Sequence, residues 1–179
     1  MNMKTLETSR LILRGWREND LDDLFDIMKD ESVLMGGWKP NSDITISAEL
    51  LNQYIENNDR WAIELKDRNK VIGCVGICPD HNRGKLFAKS LNFVMSEDCR
   101  GNGYMTEAVK RIVQYMFEEL HIDLLSAFHI PDNIGSQRVL ERCGFEYEIT
   151  IKQGYKRYDG HIFDSICYSI TKSDYVKNL

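Results

Sequence analysis

A chain of 179 residues with a formal net charge of −5 is sized for one domain, residues 1–179, with a core of its own. That acidity argues against a nucleic-acid partner, which requires a basic face. Five cysteines, Cys74, Cys78, Cys99, Cys143 and Cys167, contain no C-x-x-C pair, the usage of a reducing cytosol and not of a disulfide framework or zinc site. Residues 1–20 hold no signal-peptide core and no apolar run approaches ~20 residues, so a soluble, cytoplasmic monomer or homodimer without a membrane partner is expected.

Leu11, Ile12 and Leu13 predict a first strand over Thr8–Gly15. Asn19 or Asp20 is placed to cap a helix through Met28, with Leu21, Leu24, Phe25 and Met28 inward and Asp22, Asp23 and Asp26 on a solvated face. Ser32–Pro40 reads as a loop with two glycines and Trp38, which either contacts substrate or plugs the core edge. Ser47 starts a second helix, with Leu50, Leu51, Tyr54 and Ile55 on one face. Strands follow at Arg60–Leu65, Val71–Ile77 and Leu86–Met95, joined by a hairpin turn at Asp67–Lys70 and a polar turn at Pro79–Lys85. A helix from Gly103 to about Glu119 crosses to a strand at Leu124–His129. Asn133 caps a short helix that Gly144 ends as a C′ residue, and strands Phe145–Lys156 and Ile162–Thr171 close the chain. Neighbouring antiparallel strands ahead of one crossover helix read as α+β, not doubly wound.

The stretch Ser90–Phe117 organises this order. Leu91–Met95 has strand character, Ser96–Cys99 is a polar turn, and Arg100-Gly101-Asn102-Gly103 follows; Ala108, Val109, Ile112, Val113, Met116 and Phe117 then recur at helical spacing. A glycine turn into a helix leaves N–H groups unpaired at the positive end of the dipole and lets a ligand approach the backbone. Spacing alone leaves two readings, a pyrophosphate site or a plain glycine turn into a buried helix. Thr106 stands where a dinucleotide turn has its third glycine, and the Gly-Lys-Ser/Thr of a triphosphate loop is absent.

A second stretch, Asn133–Phe145, is a short helix ending in Gly144-Phe145. Together the two resemble the GNAT acetyltransferase superfamily, whose acetyl-CoA loop reads Gln/Arg-x-x-Gly-x-Gly/Ala and whose later helix ends in Gly-Phe. Leu6-Glu7-Thr8-Ser9-Arg10-Leu11-Ile12-Leu13-Arg14 is similar to the opening of the RimJ/RimL-like branch, the ribosomal-protein N-terminal acetyltransferases. Gly103-Tyr104-Met105-Thr106-Glu107-Ala108 matches that branch's loop continuation, and Asp164 with Tyr168 its last strand. The resemblance spans nearly the whole chain. It implies a mixed, mostly antiparallel central sheet of about seven strands flanked by about four helices. It also implies acetyl transfer from acetyl-CoA, as co-substrate and without a metal, to a primary amine on a small molecule or peptide: a protein N-terminus, an amino acid or a small amine. Asp98 departs from the Gln/Arg of the loop, and Leu140 stands where many members have a Tyr general acid. These departures leave a second reading, a non-catalytic acyl-CoA-binding sensor of the same fold.

The resemblance further implies residue roles. The backbone of Arg100, Gly101, Asn102, Gly103, Tyr104 and Met105 holds the pyrophosphate, with Arg100 adding charge or standing as a surface cation. Phe93, Val94 and Met95 pair with the pantetheine arm, and the amide of Val94 or Met95 polarises the thioester carbonyl. Asn133 contacts the arm or merely caps its helix. Ser136 donates to the departing thiolate or merely lets the helix pack closely. The base is His129 or Asp164, or a water relay, since a peptide α-amine with a pKa near ~7.8 is already partly neutral. Glu107 is read as bracing the loop, and Cys99 beside it as open to thiol reagents.

Overall fold

The structure, a computed structural model, describes residues 3–177. Strands β1 (Leu6–Glu7), β2 (Leu11–Arg14), β3 (Arg60–Leu65), β4 (Lys70–Pro79), β5 (Ala88–Met95), β6 (Leu124–His129), β7 (Glu146–Lys156) and β8 (Ile162–Thr171) form a sheet in the order β1-β2-β3-β4-β5-β6-β8-β7. Helices α1 (Leu21–Met28), α2 (Ile44–Asn57), α3 (Tyr104–Glu118), α4 (Ile134–Arg142) and α5 (Lys172–Lys177) accompany it. β5 and β6 pair in parallel through Ala88–Ser90 and Leu124–Ser126, while β1/β2, β2/β3, β3/β4, β6/β8 and β7/β8 are antiparallel. The α+β class holds, with one strand more than the seven expected and with α5 as an unexpected closing helix.

Three expectations are corrected, each by a side chain that bonds to backbone. The strand expected over Thr8–Gly15 is shorter, Leu11–Arg14, and is the second arm of a hairpin: Leu6 faces Leu13, and in the turn the Thr8 hydroxyl accepts the Leu11 N–H at 2.9 Å. A threonine that takes a backbone amide competes with the extended ladder. Asp20 does not cap α1. Its carboxylate accepts the Arg17 N–H at 2.8 Å, closing a 3-10 turn over Glu18–Asp20, and pairs with Arg14. The second helix starts at Ile44, not Ser47, because Asp43 caps it by accepting the Thr45 N–H at 2.7 Å. Ser47 is instead buried against Asn41, whose amide donates to its hydroxyl at 2.8 Å. Of the three acids expected on a solvated face of α1, Asp23 accepts the Val71 N–H at 2.8 Å and Asp26 pairs with Lys29 and Lys70; Asp22 is exposed.

The chain divides into two compact units, one of the residues up to Gly76 with Phe93–Ala108, the other of Ile77–Asn92 with Val109 onward. In the first, Trp16, Leu24, Ile27, Met28, Val33, Leu51, Tyr54, Ala62, Val71, Cys74 and Val94 share one apolar core. A Cβ at Gly73 would lie 2.5 Å from the Val94 carbonyl oxygen, so only glycine admits β4 this close to β5. In the second, Ile112, Met116, Ile122, Leu125, Leu140, Phe145 and Ile170 are buried.

The first unit also buries a charged trio. Arg14 donates to both oxygens of Asp20 at 2.7 and 2.8 Å, and its Nε to Glu64. Burial works against the Arg14 charge, but the bonds to Asp20 and Glu64 outweigh it and raise its pKa. Removing the cation strands two carboxylates out of water, a loss of about 3–5 kcal/mol for a broken buried pair. Arg14→Met should therefore lower the urea-unfolding free energy by about that amount; a loss below ~1 kcal/mol would show that the trio is solvated.

Candidate active site

The glycine loop is built entirely within the first unit. The Ser96 N–H donates to Ile72 O at 2.9 Å, and the chain then turns through Glu97–Cys99, with Cys99 N bonded to Ser96 O and Arg100 N to Glu97 O, both at 3.1 Å. The Ser96 hydroxyl bonds the Asp98 carboxylate, which overcomes a smaller effect of burial and holds its pKa below the usual range. Asn102 donates from Nδ2 to Cys99 O at 3.2 Å and Arg100 O at 3.1 Å, drawing loop carbonyls onto its own side chain. Gly101 and Gly103 both have φ of +78°, a backbone L side chains rarely adopt, and nothing lies within 4 Å of where a Cβ on Gly101 would sit. Loop carbonyls engaged and open space at Gly101 leave room for an anion at the start of α3.

One carboxylate fixes this loop. Glu107 Oε1 accepts from the Thr8 hydroxyl at 2.6 Å, the Ser9 hydroxyl at 3.2 Å and the Arg10 N–H at 3.1 Å; Oε2 accepts from Arg10 Nε at 2.7 Å and pairs with Nη2 at 2.6 Å. Arg10 Nη1 donates onward to Asn102 O at 3.1 Å, and its guanidinium lies 4.5 Å from the Tyr104 ring centroid. The turn of the Leu6–Arg14 motif and the loop of the Gly103–Ala108 motif thus meet, and Glu107 braces the loop as expected. Arg100 matches the second reading, an exposed surface cation: its Nε and Nη2 fold back onto Met95 O at 3.2 and 3.0 Å. Cys99 is buried, and burial, with Asp98 nearby, pushes its thiol pKa up, so it is a poor target for thiol reagents. At the end of β5, Ser96 faces β4, so by strand alternation Val94 does too, and Phe93 and Met95 point their amides to the other edge. Trp38 is half-buried against the apolar core with Arg60 over its ring at 5.5 Å, a position that packing alone accounts for.

The second unit holds the other candidates. Asn133 Oδ1 accepts the Ser136 N–H at 3.0 Å and caps α4, leaving Ser136 partly exposed in its first turn. Leu140 is fully buried. His129 is buried, with Nδ1 2.8 Å from Ile130 O and its ring 5.5 Å from that of Tyr168. Bonding to a carbonyl places the hydrogen on Nδ1; Nε2 is buried with no hydrogen-bond partner among the described residues. Asp164 accepts the Gln153 N–H at 2.8 Å, at a bulge in β7 where Gln153 has φ of +51°. That bond ties one of its oxygens to the bulge. Sequence reasoning missed the pair Tyr168–Glu141, in which the phenol donates to Glu141 at 3.3 Å and burial, then the Glu141 charge, raises its pKa. The Asp164–Tyr168 spacing flagged the tyrosine, but nothing local ties it to a residue on α4. Among the described residues no cluster of three or more His, Cys, Asp or Glu could hold a metal ion, and no helix is long and apolar enough to cross a membrane.

Comparison with known proteins agrees with this geometry. A family profile described as an acetyltransferase (GNAT) domain matches residues 10–146. The chain belongs to the GNAT acetyltransferases. It is similar to the uncharacterized N-acetyltransferase YoaA of Bacillus subtilis, 28% identical over 176 residues that cover 93% of this chain and 96% of that one. It is also similar to the ribosomal protein uS5-alanine N-acetyltransferase of Escherichia coli, 26% identical over 180 residues, covering 95% and 92%. The GNAT acetyltransferase from Bacillus anthracis, a crystal structure, superposes with a TM-score of 0.85 over 95% of this chain and 99% of that one at 18% identity. The GNAT fold and the acetyltransferase class are therefore established.

The Glu107 contacts set a pH signature. Burial pushes its pKa up, but the Thr8 hydroxyl and the Arg10 donors together outweigh that and hold it below the usual carboxylate range. A depressed carboxylate contributes stability that is fully present above the unfolded value near ~4.3 and lost as pH falls through the folded one. The stability gap between wild type and Glu107→Gln, read from urea midpoints, should stay constant from about pH 8 to pH 5 and narrow below about pH 4.3. A gap that does not narrow contradicts the assignment.

Proposed function

We propose that this GNAT enzyme is a RimJ/RimL-like N-acetyltransferase, acting as a single domain, that moves acetyl from acetyl-CoA to a primary amine. The α-amine of a peptide N-terminus is the first acceptor to test, ahead of amino acids and small amines. The observation that carries the reading is the clamped loop: two glycines at positive φ, with open space at Gly101, locked through Glu107 to the Leu6–Arg14 turn. Similarity to an alanine N-acetyltransferase over 95% of the chain supports the acceptor.

An amine nitrogen adds to the thioester carbonyl carbon, the C–S bond breaks and the coenzyme leaves as a thiolate; that is the chemistry the donor supplies. Gly101 to Met105 would receive the pyrophosphate on backbone amides, the Arg100 amide being bonded to Glu97 O. The edge of β5 away from β4 favours Met95 over Val94 as the amide that meets the developing oxyanion, a bond worth about 3 kcal/mol in the transition state. Asn133 is assigned to the pantetheine arm and Ser136 to the departing sulfur. Proton removal needs no strong base, because an α-amine with a pKa near ~7.8 supplies neutral nucleophile near neutral pH. This agrees with Asp164 being engaged at a bulge and His129 being buried against Tyr168. Water then carries the proton away.

Acetyl-CoA at 100 times its dissociation constant should add about 2.7 kcal/mol of stability, visible in thermal melts. Coenzyme release should be fastest with an alanine-initiated peptide, slower with free amino acids and polyamines, and should climb through about pH 8 with the titration of the α-amine. Ligand binding without coenzyme release from any amine would support the sensor reading instead. Ser136→Ala should lower kcat about tenfold with little change in the KM for acetyl-CoA, because the bond strengthens only as charge develops on sulfur. An unchanged kcat with chemistry rate-limiting removes Ser136 from the mechanism.

A further inference from the structure

We propose that Arg10, from the turn between β1 and β2, is a phosphate-binding residue of the donor site. The inference rests on reading the glycine loop as the seat of the acetyl-CoA phosphates. Arg100, the arginine that sequence places in the loop, has its guanidinium turned onto Met95 O. Arg10 is the cation that faces the glycines: its Nη2 lies 3.7 Å from where a Cβ on Gly103 would sit, and 46% of its side-chain surface is exposed.

Its hydrogen-bonding capacity supports the assignment. A guanidinium carries five N–H groups in a fixed plane. Nε and one Nη2 hydrogen go to Glu107, and one Nη1 hydrogen goes to Asn102 O. One hydrogen on each terminal nitrogen remains to offer to a phosphate, which a guanidinium characteristically binds through a fork of two N–H groups. Glu107 and the Tyr104 ring hold the plane before any ligand arrives, so little side-chain freedom is left to lose on binding. Glu107 is then a positioning residue that acts through Arg10. The ligand group is a phosphate of the coenzyme, either the pyrophosphate or the ribose 3′-phosphate.

The test compares wild type, Arg10→Gln and Arg10→Lys. Calorimetry measures Kd for CoA and 3′-dephospho-CoA at two salt concentrations, and steady-state rates are taken with acetyl-CoA and with S-acetylpantetheine, which has no phosphates. Ligand-free thermal melts report folding. Losing one charge-assisted contact should raise the Kd for CoA and the KM for acetyl-CoA about tenfold in Arg10→Gln, with kcat close to wild type and a shallower salt dependence. Arg10→Lys, which keeps the charge and loses the fork, should lose about two- to fivefold and serves alone if Arg10→Gln does not fold. Neither variant should be impaired with S-acetylpantetheine. An equal loss on 3′-dephospho-CoA assigns Arg10 to the pyrophosphate, and no loss there assigns it to the 3′-phosphate. Wild-type affinity for CoA in folded variants, or an equal loss with S-acetylpantetheine, overturns the role of Arg10 while leaving the loop reading intact. Failure of the wild type itself to bind CoA overturns both.

Discussion

The carboxylate of Glu107 is the junction on which the candidate site depends. It stands one turn into α3 and collects donors from Thr8, Ser9 and Arg10, residues up to 99 positions away in sequence. A carboxylate offers about four lone-pair directions, and here hydroxyl, amide and guanidinium fill them from a single turn. That turn can exist only because the Thr8 hydroxyl and amide both bond Leu11, breaking the extended chain into a hairpin. The hairpin, the first turn of α3 and the glycine loop are consequently one piece of structure.

Much of the architecture was legible because it rests on local periodicity and local caps. β3, β6 and β8 begin and end where alternation and flanking polar residues place them, and Asn133 and Gly144 bound α4 as their side-chain and backbone preferences dictate. The errors share one cause, a polar side chain whose hydrogen-bond partner periodicity does not register. Thr8 reads as a strand residue until its hydroxyl is seen to take a backbone amide. Asp20 reads as a helix cap until Arg14 claims it. Arg100 and Asp164 each carry a backbone contact that the sequence does not reveal, to Met95 O and from the Gln153 amide. The brace role of Glu107 was legible in outline, but its partners were not, since nothing in Gly103–Ala108 points to the turn before β2.

Placement of charge divides structural from chemical tasks. The Arg14 trio sits out of water and serves the fold. Arg10 and Glu107 make a similar pairing at the edge of solvent, where a guanidinium can still offer hydrogens to a ligand. Of the candidate bases, His129 is buried against Tyr168, and Asp164 accepts an exposed backbone bond at the β7 bulge. Such an arrangement suits an acceptor that brings its own neutral amine and leaves the protein to position and to stabilise charge on oxygen and sulfur.

Hydrogen exchange in wild type and Glu107→Ala tests the central claim most directly. In the folded chain the amides of Thr8, Arg100 and Glu107 are bonded within the turn and the loop, to Leu11 O, Glu97 O and Gly103 O. If the carboxylate holds these parts together, its removal should speed exchange at all three while the amides of β3 keep their protection. Unchanged exchange at Arg100 and Glu107 in a folded Glu107→Ala variant would mean that the glycine loop holds its shape unaided, and would contradict the account.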